Sequence, residues 1–195
     1  SNTALDEQQR DMMTSVFKSQ IPAMEKSDFL VMFEPVGATA QPIVITQNEF
    51  MRRMKDMAAI QSGMAFYGEL PDSYNLIVNT DHPLSQKVIA DTESACKSEL
   101  TPILDELKTV NEEIERLQEA KKDKKDDEIP VADKEALKHA EEKAKELRAK
   151  ESDILKTYAD RTPLVRQLVD LALLSNNMLK GEALSKFIKR SVEML

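Results

Sequence analysis

Residues that build tight turns, aromatic cores and disulfides are scarce in this sequence. It contains 4 Gly, no Trp and 1 Cys, and aromatic residues make up only 5% of it. This composition disfavours all-β sandwiches and barrels, which use many turn glycines and large apolar side chains. One cysteine, Cys96, cannot form a disulfide within the chain, and this favours a reducing, cytoplasmic setting.

Long apolar runs and positively charged patches are also missing. No apolar run approaches the roughly 18 residues of a membrane-spanning helix. The first residues, Ser1-Asn2-Thr3-Ala4, lack the pattern of a signal peptide, and we interpret Ser1-Asn2 as the remnant of an expression tag. The net charge is −8, with 35 acidic and 27 basic residues. Neither a membrane nor nucleic acid is therefore an expected partner.

The residues that are present indicate a helix-rich α+β domain. Hydrophobic residues make up 41% of the 195 positions, enough to fill a core, and the 32% of charged residues is typical of long solvated helices. Short apolar segments at 29–34, 43–45 and 74–78 predict three buried strands. Apolar side chains on one side of 6–20 predict an amphipathic helix before them. We expect a small three-stranded sheet with packed helices.

A Met-rich helix is predicted between the second and third strands. Thr46 and Glu49 have the spacing of a capping box, which predicts a helix over 46–62. Its apolar positions form one stripe, and methionine side chains are flexible enough to fit many apolar partners. A buried core helix would show the same spacing. The stripe consists of Phe50, Met51, Met54, Met57, Ile60 and Met64.

Two heptad patterns predict a helical hairpin over 100–158. A charged segment at 121–127 and the helix breaker Ile129-Pro130 separate them, so the two helices should fold back antiparallel. This hairpin divides the chain into an α/β part over 1–99 and a C-terminal part over 159–195. The expected seam residues are Leu100, Ile103, Leu107, Val110, Ile114 and Leu117, then Leu137, Ala140, Ala144, Leu147, Ile154 and Tyr158.

The C-terminal part reads as two helices, the first starting at Thr162-Pro163. Both are apolar over more than one stripe, so each needs partners on two sides. A second copy of the chain could supply them in a symmetric four-helix bundle. A helical pair that closes a monomeric core is the alternative. The residues predicted for the dimer interface are Leu164, Leu168, Leu171, Leu174, Leu184, Phe187, Ile188, Ser191 and Leu195.

Three stretches resemble the C-terminal dimerisation domain of the ninety-kilodalton heat-shock chaperone family, in its bacterial form. The first stretch, ITQNEFMRRMKDM at 45–57, is similar to the Met-rich amphipathic helix of that family. The second stretch, YNLIVNTDHPL at 74–84, is similar to a strand of that family that is followed by an Asn-x-x-His-Pro turn. Paired dimerisation helices are represented by VRQLVDLALL at 165–174, followed by MLKG at 178–181. The hairpin over 100–158 looks like an insertion relative to most members.

The resemblance implies a homodimer that contacts unfolded or partly folded client proteins within an ATP-dependent chaperone. In the family the Met-rich helix is largely exposed and contacts clients, which favours a client-binding role for the stripe over a core role. ATP and magnesium belong to other domains of the parent protein. We therefore expect no cofactor and no ATPase activity in this segment.

Enzymatic interpretations find little support in the residues. His82 stands beside Pro83 at a helix entry, where capping is the simpler role, and His139 lies among solvated charges. The sequence has no CxxC, HExxH or glycine-rich phosphate loop, and Cys96 has no histidine nearby in sequence. We expect no catalytic and no metal site. The alternative function is a coiled-coil scaffold or adaptor whose hairpin binds a dedicated partner.

Overall fold

The computed structural model describes residues 4–195, so the tag interpretation of Ser1-Asn2 lies outside the described residues. None of the helices in this described range is long and apolar enough to cross a membrane. The elements are α1 (Glu7–Ser19), β1 (Ser27–Glu34), β2 (Ile43–Gln47), α2 (Glu49–Ala58), α3 (Ala65–Gly68), β3 (Asp72–Asn79), α4 (Pro83–Lys121), α5 (Val131–Asp160), α6 (Pro163–Ser175) and α7 (Gly181–Glu193). The predicted α+β class is confirmed. The chain divides into two compact units, one formed by residues up to 92 together with 159–195, the other by 93–158.

The first unit is built on a mixed three-stranded sheet with the order β1-β3-β2. The central strand β3 pairs parallel with β1 and antiparallel with β2. Alternate side chains of the three strands form rows across one face, as the period of two in a strand requires. Helices α1 and α6 contact each other and the edge strands β1 and β2. The two rows are Val31-Leu76-Ile45, which is buried, and Phe33-Val78-Ile43, in which Phe33 is partly buried.

Helix α1 shows why this small sheet acquires a core. Its first turn carries a capping box, in which the Gln9 amide donates to Asp6 Oδ1 at 2.7 Å and the Asp6 amide donates to Gln9 Oε1 at 3.0 Å. One side of the helix is fully buried. Phe17 on that side meets Phe33 edge-to-face, with ring centroids 6.3 Å apart. The amphipathic helix predicted over 6–20 is confirmed.

The Met-rich helix is shorter than predicted. Thr46 lies in β2, opposite Asn75, so it does not start the helix and the predicted Thr46–Glu49 capping box is wrong. The N-cap is Asn48, whose Oδ1 accepts from the Met51 amide at 3.0 Å. Helix α2 ends at Ala58, and the chain continues through a 3₁₀ turn over Ser62–Met64 into α3. Thr46 belongs to the strand and not to the helix because the pairing of β2 with β3 continues to Gln47.

The second unit is the predicted antiparallel hairpin of α4 and α5. Leu107 packs with Ala144 and Leu147, far from the turn. Leu117 and Leu137 line one small pocket of about 160 Å³ near the turn. Contacts that pair late residues of α4 with early residues of α5 require opposite helix directions, which confirms the hairpin.

Two details of the long helices differ from the heptad prediction. Leu155 and Ala159 are buried where Ile154 and Tyr158 are only partly covered. A straight helix drifts relative to a strict seven-residue repeat, so steps of four replace alternating steps at this end. Pro102 lies inside α4, where the pattern gave no sign of a break.

Candidate functional site

Helix α2 is held in place by polar contacts. On its outer side, Arg52 forms ion pairs with Glu49 at 2.9 Å and with Asp56 at 3.1 Å. The hydrogen bond from Arg52 lowers the pKa of Glu49, and its positive charge acts in the same direction. These pairs are exposed, so water and salt screen them and they stabilise the helix itself only weakly.

On its inner side, α2 is attached to the beginning of β3. The Lys55 ammonium donates to the Leu70 carbonyl and to Asp72 Oδ1, each at 2.7 Å. The Asn48 amide donates to the Ser73 carbonyl at 2.8 Å. Helix α3 packs closely on the other end of α2, because a Cβ placed on Gly68 would lie 3.7 Å from Ala58 Cβ. Hydrogen bonds from Asn48 and Lys55 and the Lys55–Asp72 ion pair thus attach α2 to the start of β3.

The predicted client-binding residues fall into an exposed and a covered group. Phe50 is 63% exposed, Met57 36% and Ile60 84%. Met51, Met54 and Met64 are partly buried toward the rest of the unit. Sequence reasoning missed Phe66, which is 64% exposed and stacks edge-to-face on Tyr67. The aromatic pair after Met64 was the available signal. We call Phe50, Met57, Ile60 and Phe66 the α2 patch.

The turn after β3 is fixed by the buried side chain of Asn79. Its Oδ1 accepts from the amides of Val36 at 3.0 Å and Asp81 at 3.1 Å. Its Nδ2 donates to the carbonyls of Gly37 at 2.8 Å and Gln41 at 3.1 Å. One amide therefore joins the β1–β2 loop to the entry of α4.

The C-terminal helix α7 leaves an apolar side in solvent. Ile188 is 55% exposed, Val192 65% and Met194 48%. Val192 and Met194 were missed, although Val192 stands one turn after Ile188. Of the nine predicted interface residues, Leu168 is buried within the chain and lines a groove with β2. Partly buried members are Leu164, Leu184, Phe187 and Ser191, and exposed members are Leu171, Leu174, Ile188 and Leu195.

Helices α6 and α7 are joined by a polar network that the sequence gave no reason to expect. Asp170 is buried in α6 and pairs through Oδ2 with Arg166 at 3.2 Å and with Arg190 of α7. Gln167 donates to Ser191 and accepts from Arg190 Nε at 3.2 Å. Burial raises the pKa of Asp170, and the two arginines oppose that shift. The buried Asp170 Oδ1 has no hydrogen-bond partner among the described residues.

Comparison with known proteins decides the family. The chain is 46% identical over 194 residues to the chaperone protein HtpG of Bacteroides thetaiotaomicron, a match that covers 100% of the chain. It is 47% identical over 191 residues to HtpG of Bacteroides fragilis strain 638R and 44% identical over 191 residues to HtpG of Porphyromonas gingivalis strain W83. The chain belongs to the HtpG chaperone family. The resemblance drawn from the three sequence stretches is thereby confirmed.

The HtpG relatives are longer than this chain, which spans about 28% of their length. No family model matches the chain. No solved structure gives a significant match either.

The two histidines and the cysteine lie in different parts of α4 and α5 or at their ends. His82 Nδ1 accepts from the Leu84 amide at 3.0 Å, so it caps the start of α4 as expected. Cys96 is buried in α4. His139 is exposed on α5.

Proposed function

We propose that this segment contacts unfolded or partly folded client proteins through the α2 patch and joins two copies of an HtpG chaperone through α6 and α7. In this proposal ATP hydrolysis, with its magnesium, takes place in other parts of the parent protein. The segment itself supplies binding surface and catalyses no reaction.

The exposed α2 patch is the observation that carries the client-binding role. Large apolar side chains in solvent cost free energy, and contiguous groups of them mark interaction sites. Full burial of each one on a client contributes about 1.5–3 kcal/mol before ordering costs. Three or four such residues give weak, reversible binding, and methionine adapts to clients of different shape.

A double substitution in the full-length chaperone tests this role. Met57→Ser with Ile60→Ser removes two patch residues, and both are exposed, so the fold should be preserved. We expect client affinity to fall roughly 10-fold, because about 1.4 kcal/mol corresponds to that factor. Suppression of the aggregation of a chemically unfolded client measures it.

The matched control is Val131→Ser, which changes an equally solvent-facing side chain, 69% exposed, at the start of α5. It should leave aggregation suppression at the natural level. If the double variant and the control behave alike, the α2 patch is not a client surface.

The joining role of α6 and α7 rests on the apolar side chains that α7 exposes. Homodimer interfaces are more apolar than the rest of a protein surface, and the exposed Ile188 and Val192, one helical turn apart, fit such a contact. The groove between β2 and α6, about 160 Å³ and lined by Ile43, Leu168 and Leu171, is a further apolar surface of this unit.

A further inference from the structure

Helix α2 depends on its attachment to remain ordered. It has 10 residues, fewer than an isolated helix needs to be stable in water. Across the whole of α2, which the structure describes, no side chain is buried. Apolar packing therefore contributes less here than in α1 or α6, and polar contacts have a larger share in holding the helix.

Lys55 makes the most favourable of these contacts. Its ammonium is bound between a backbone carbonyl in the connection from α3 to β3 and a carboxylate at the start of β3. The Lys55 side chain is 22% exposed, whereas Lys87 in its pair with Asp91 is 59% exposed. Lower exposure reduces screening by water and salt, so the Lys55 pair is stronger than an ordinary surface pair. This one group joins α2 to two other elements.

The covered methionines of α2 lie next to this contact. Met51 is one turn before Lys55, and Met54 is adjacent to it. Both are partly buried while Lys55 is bound, whereas Phe50 and Met57 are exposed. Movement of α2 away from β3 would expose all of its apolar stripe together.

We infer that Lys55, with Asp72 and the Leu70 carbonyl, is a latch that positions α2 and limits how much of its apolar stripe a client can reach. This inference rests on the proposed client-binding role. With the latch closed, the client meets the α2 patch alone. With the latch open, Met51 and Met54 add to the contact. Any change that removes the ammonium charge opens the latch.

Hydrogen exchange in the full-length chaperone tests the latch without a client. Lys55→Met keeps the length of the side chain and removes its charge, so the amides of 51–58 should exchange roughly 10-fold faster. Lys55→Arg retains a charged donor and should restore natural exchange. Lys87→Met, which breaks an exposed pair elsewhere, is the control and should leave α2 unchanged. Unaltered exchange of α2 in Lys55→Met would overturn the latch.

Client binding then tests what the latch does. We expect Lys55→Gln, which removes the charge without adding an apolar side chain, to bind an unfolded client about fivefold more tightly than the natural protein, since Met51 and Met54 can then also be buried. Faster exchange with equal or weaker client binding would overturn the limiting role. If a client fails to slow exchange of α2 in the natural protein, the proposed client site is wrong, while the exchange of Lys55→Met alone still judges the latch.

Discussion

The side chain of Asn79 is fully buried and makes four hydrogen bonds, two as acceptor and two as donor. If a buried side-chain amide is removed, the backbone groups that it bonded are left unsatisfied, and this costs more free energy than the hydrogen bonds contributed. The resemblance drew attention to the Asn-x-x-His-Pro turn, but the sequence did not show that Asn79 bonds to the distant β1–β2 loop. The β1–β2 loop and the entry of α4 are therefore both held by the side chain of Asn79.

Asn79→Ala should lower the free energy of unfolding by about 3 kcal/mol, because several buried backbone groups lose a partner. Urea denaturation of the chain measures it. Asn75→Ala is the matched control on the same strand, since Asn75 makes an exposed bond to Thr46 at 3.2 Å. The control should cost about 1 kcal/mol or less. Equal losses in the two variants would contradict the role given to Asn79.

At the scale of helices and strands, sequence pattern predicted most of the fold. The three strands were found because short apolar runs between turn residues have few other structures. The hairpin was found because apolar residues repeat over many turns. The start of α2 was missed because a hydroxyl followed by an acid three residues later also occurs at the end of a strand. Burial of Leu155 in place of Ile154 depends on helix drift, which the repeat alone does not show.

The polar network between α6 and α7 shows another limit of sequence reasoning. Arg166 and Asp170 are one turn apart in an otherwise apolar helix, and charges in such a position normally face solvent. Arg166 on the same helix and Arg190 on the next helix together make burial of Asp170 tolerable, and the sequence does not show that Arg190 lies there. The apolar stripe of α2 was predicted from the spacing of its residues. Its division into exposed and partly buried residues depends on where β3 and α3 lie, which the spacing does not show.

Pro102 destabilises helix α4 from within. Proline inside a helix removes one backbone hydrogen bond and disfavours the preceding turn, at a cost of about 3 kcal/mol. Pro102 is exposed, so its replacement disturbs no packing. Pro102→Ala should therefore stabilise the hairpin by about 1–3 kcal/mol. Hydrogen exchange of the amides of 98–110 reports it as slower exchange.

The neighbouring exposed position supplies a control for Pro102→Ala. Thr101 donates from Oγ1 to the Lys97 carbonyl at 2.7 Å, a contact within the same helix. Thr101→Ala should change stability by about 0.5 kcal/mol or less. Exchange that is no slower in Pro102→Ala than in Thr101→Ala would mean that the helix has already accommodated the proline.

For the whole molecule, the proposed dimer requires a surface that can join two copies. A scaffold would use the hairpin, and among the described residues of 93–158 only Val131 is a large apolar side chain with high exposure. Apolar surface is exposed on α6 and α7 and in the α2 patch, and the patch is already assigned to clients. This distribution favours assembly through the C-terminal helices over assembly through the hairpin. A chain that keeps α6 and α7 but lacks the hairpin should then still dimerise.

Ile188→Glu with Val192→Glu should yield a folded monomer, because burial of unpaired carboxylates in an apolar interface costs several kcal/mol. Light scattering at micromolar concentration should give a mass near 22.1 kDa for this variant and twice that mass for the natural chain. Both positions are exposed, so the variant tests assembly more directly than changes at the half-buried Leu184 and Phe187.

Two further measurements separate this interface from the others. Leu30→Glu places a carboxylate on an exposed residue of β1 and should remain dimeric. A chain in which a short loop replaces 105–149 keeps the register of α4 with α5, because Leu107 lies beside Leu147, and it should also remain dimeric. If this shortened chain is a folded monomer while Ile188→Glu with Val192→Glu is still a dimer, the hairpin is the assembly element, and the scaffold hypothesis replaces the one proposed for α6 and α7.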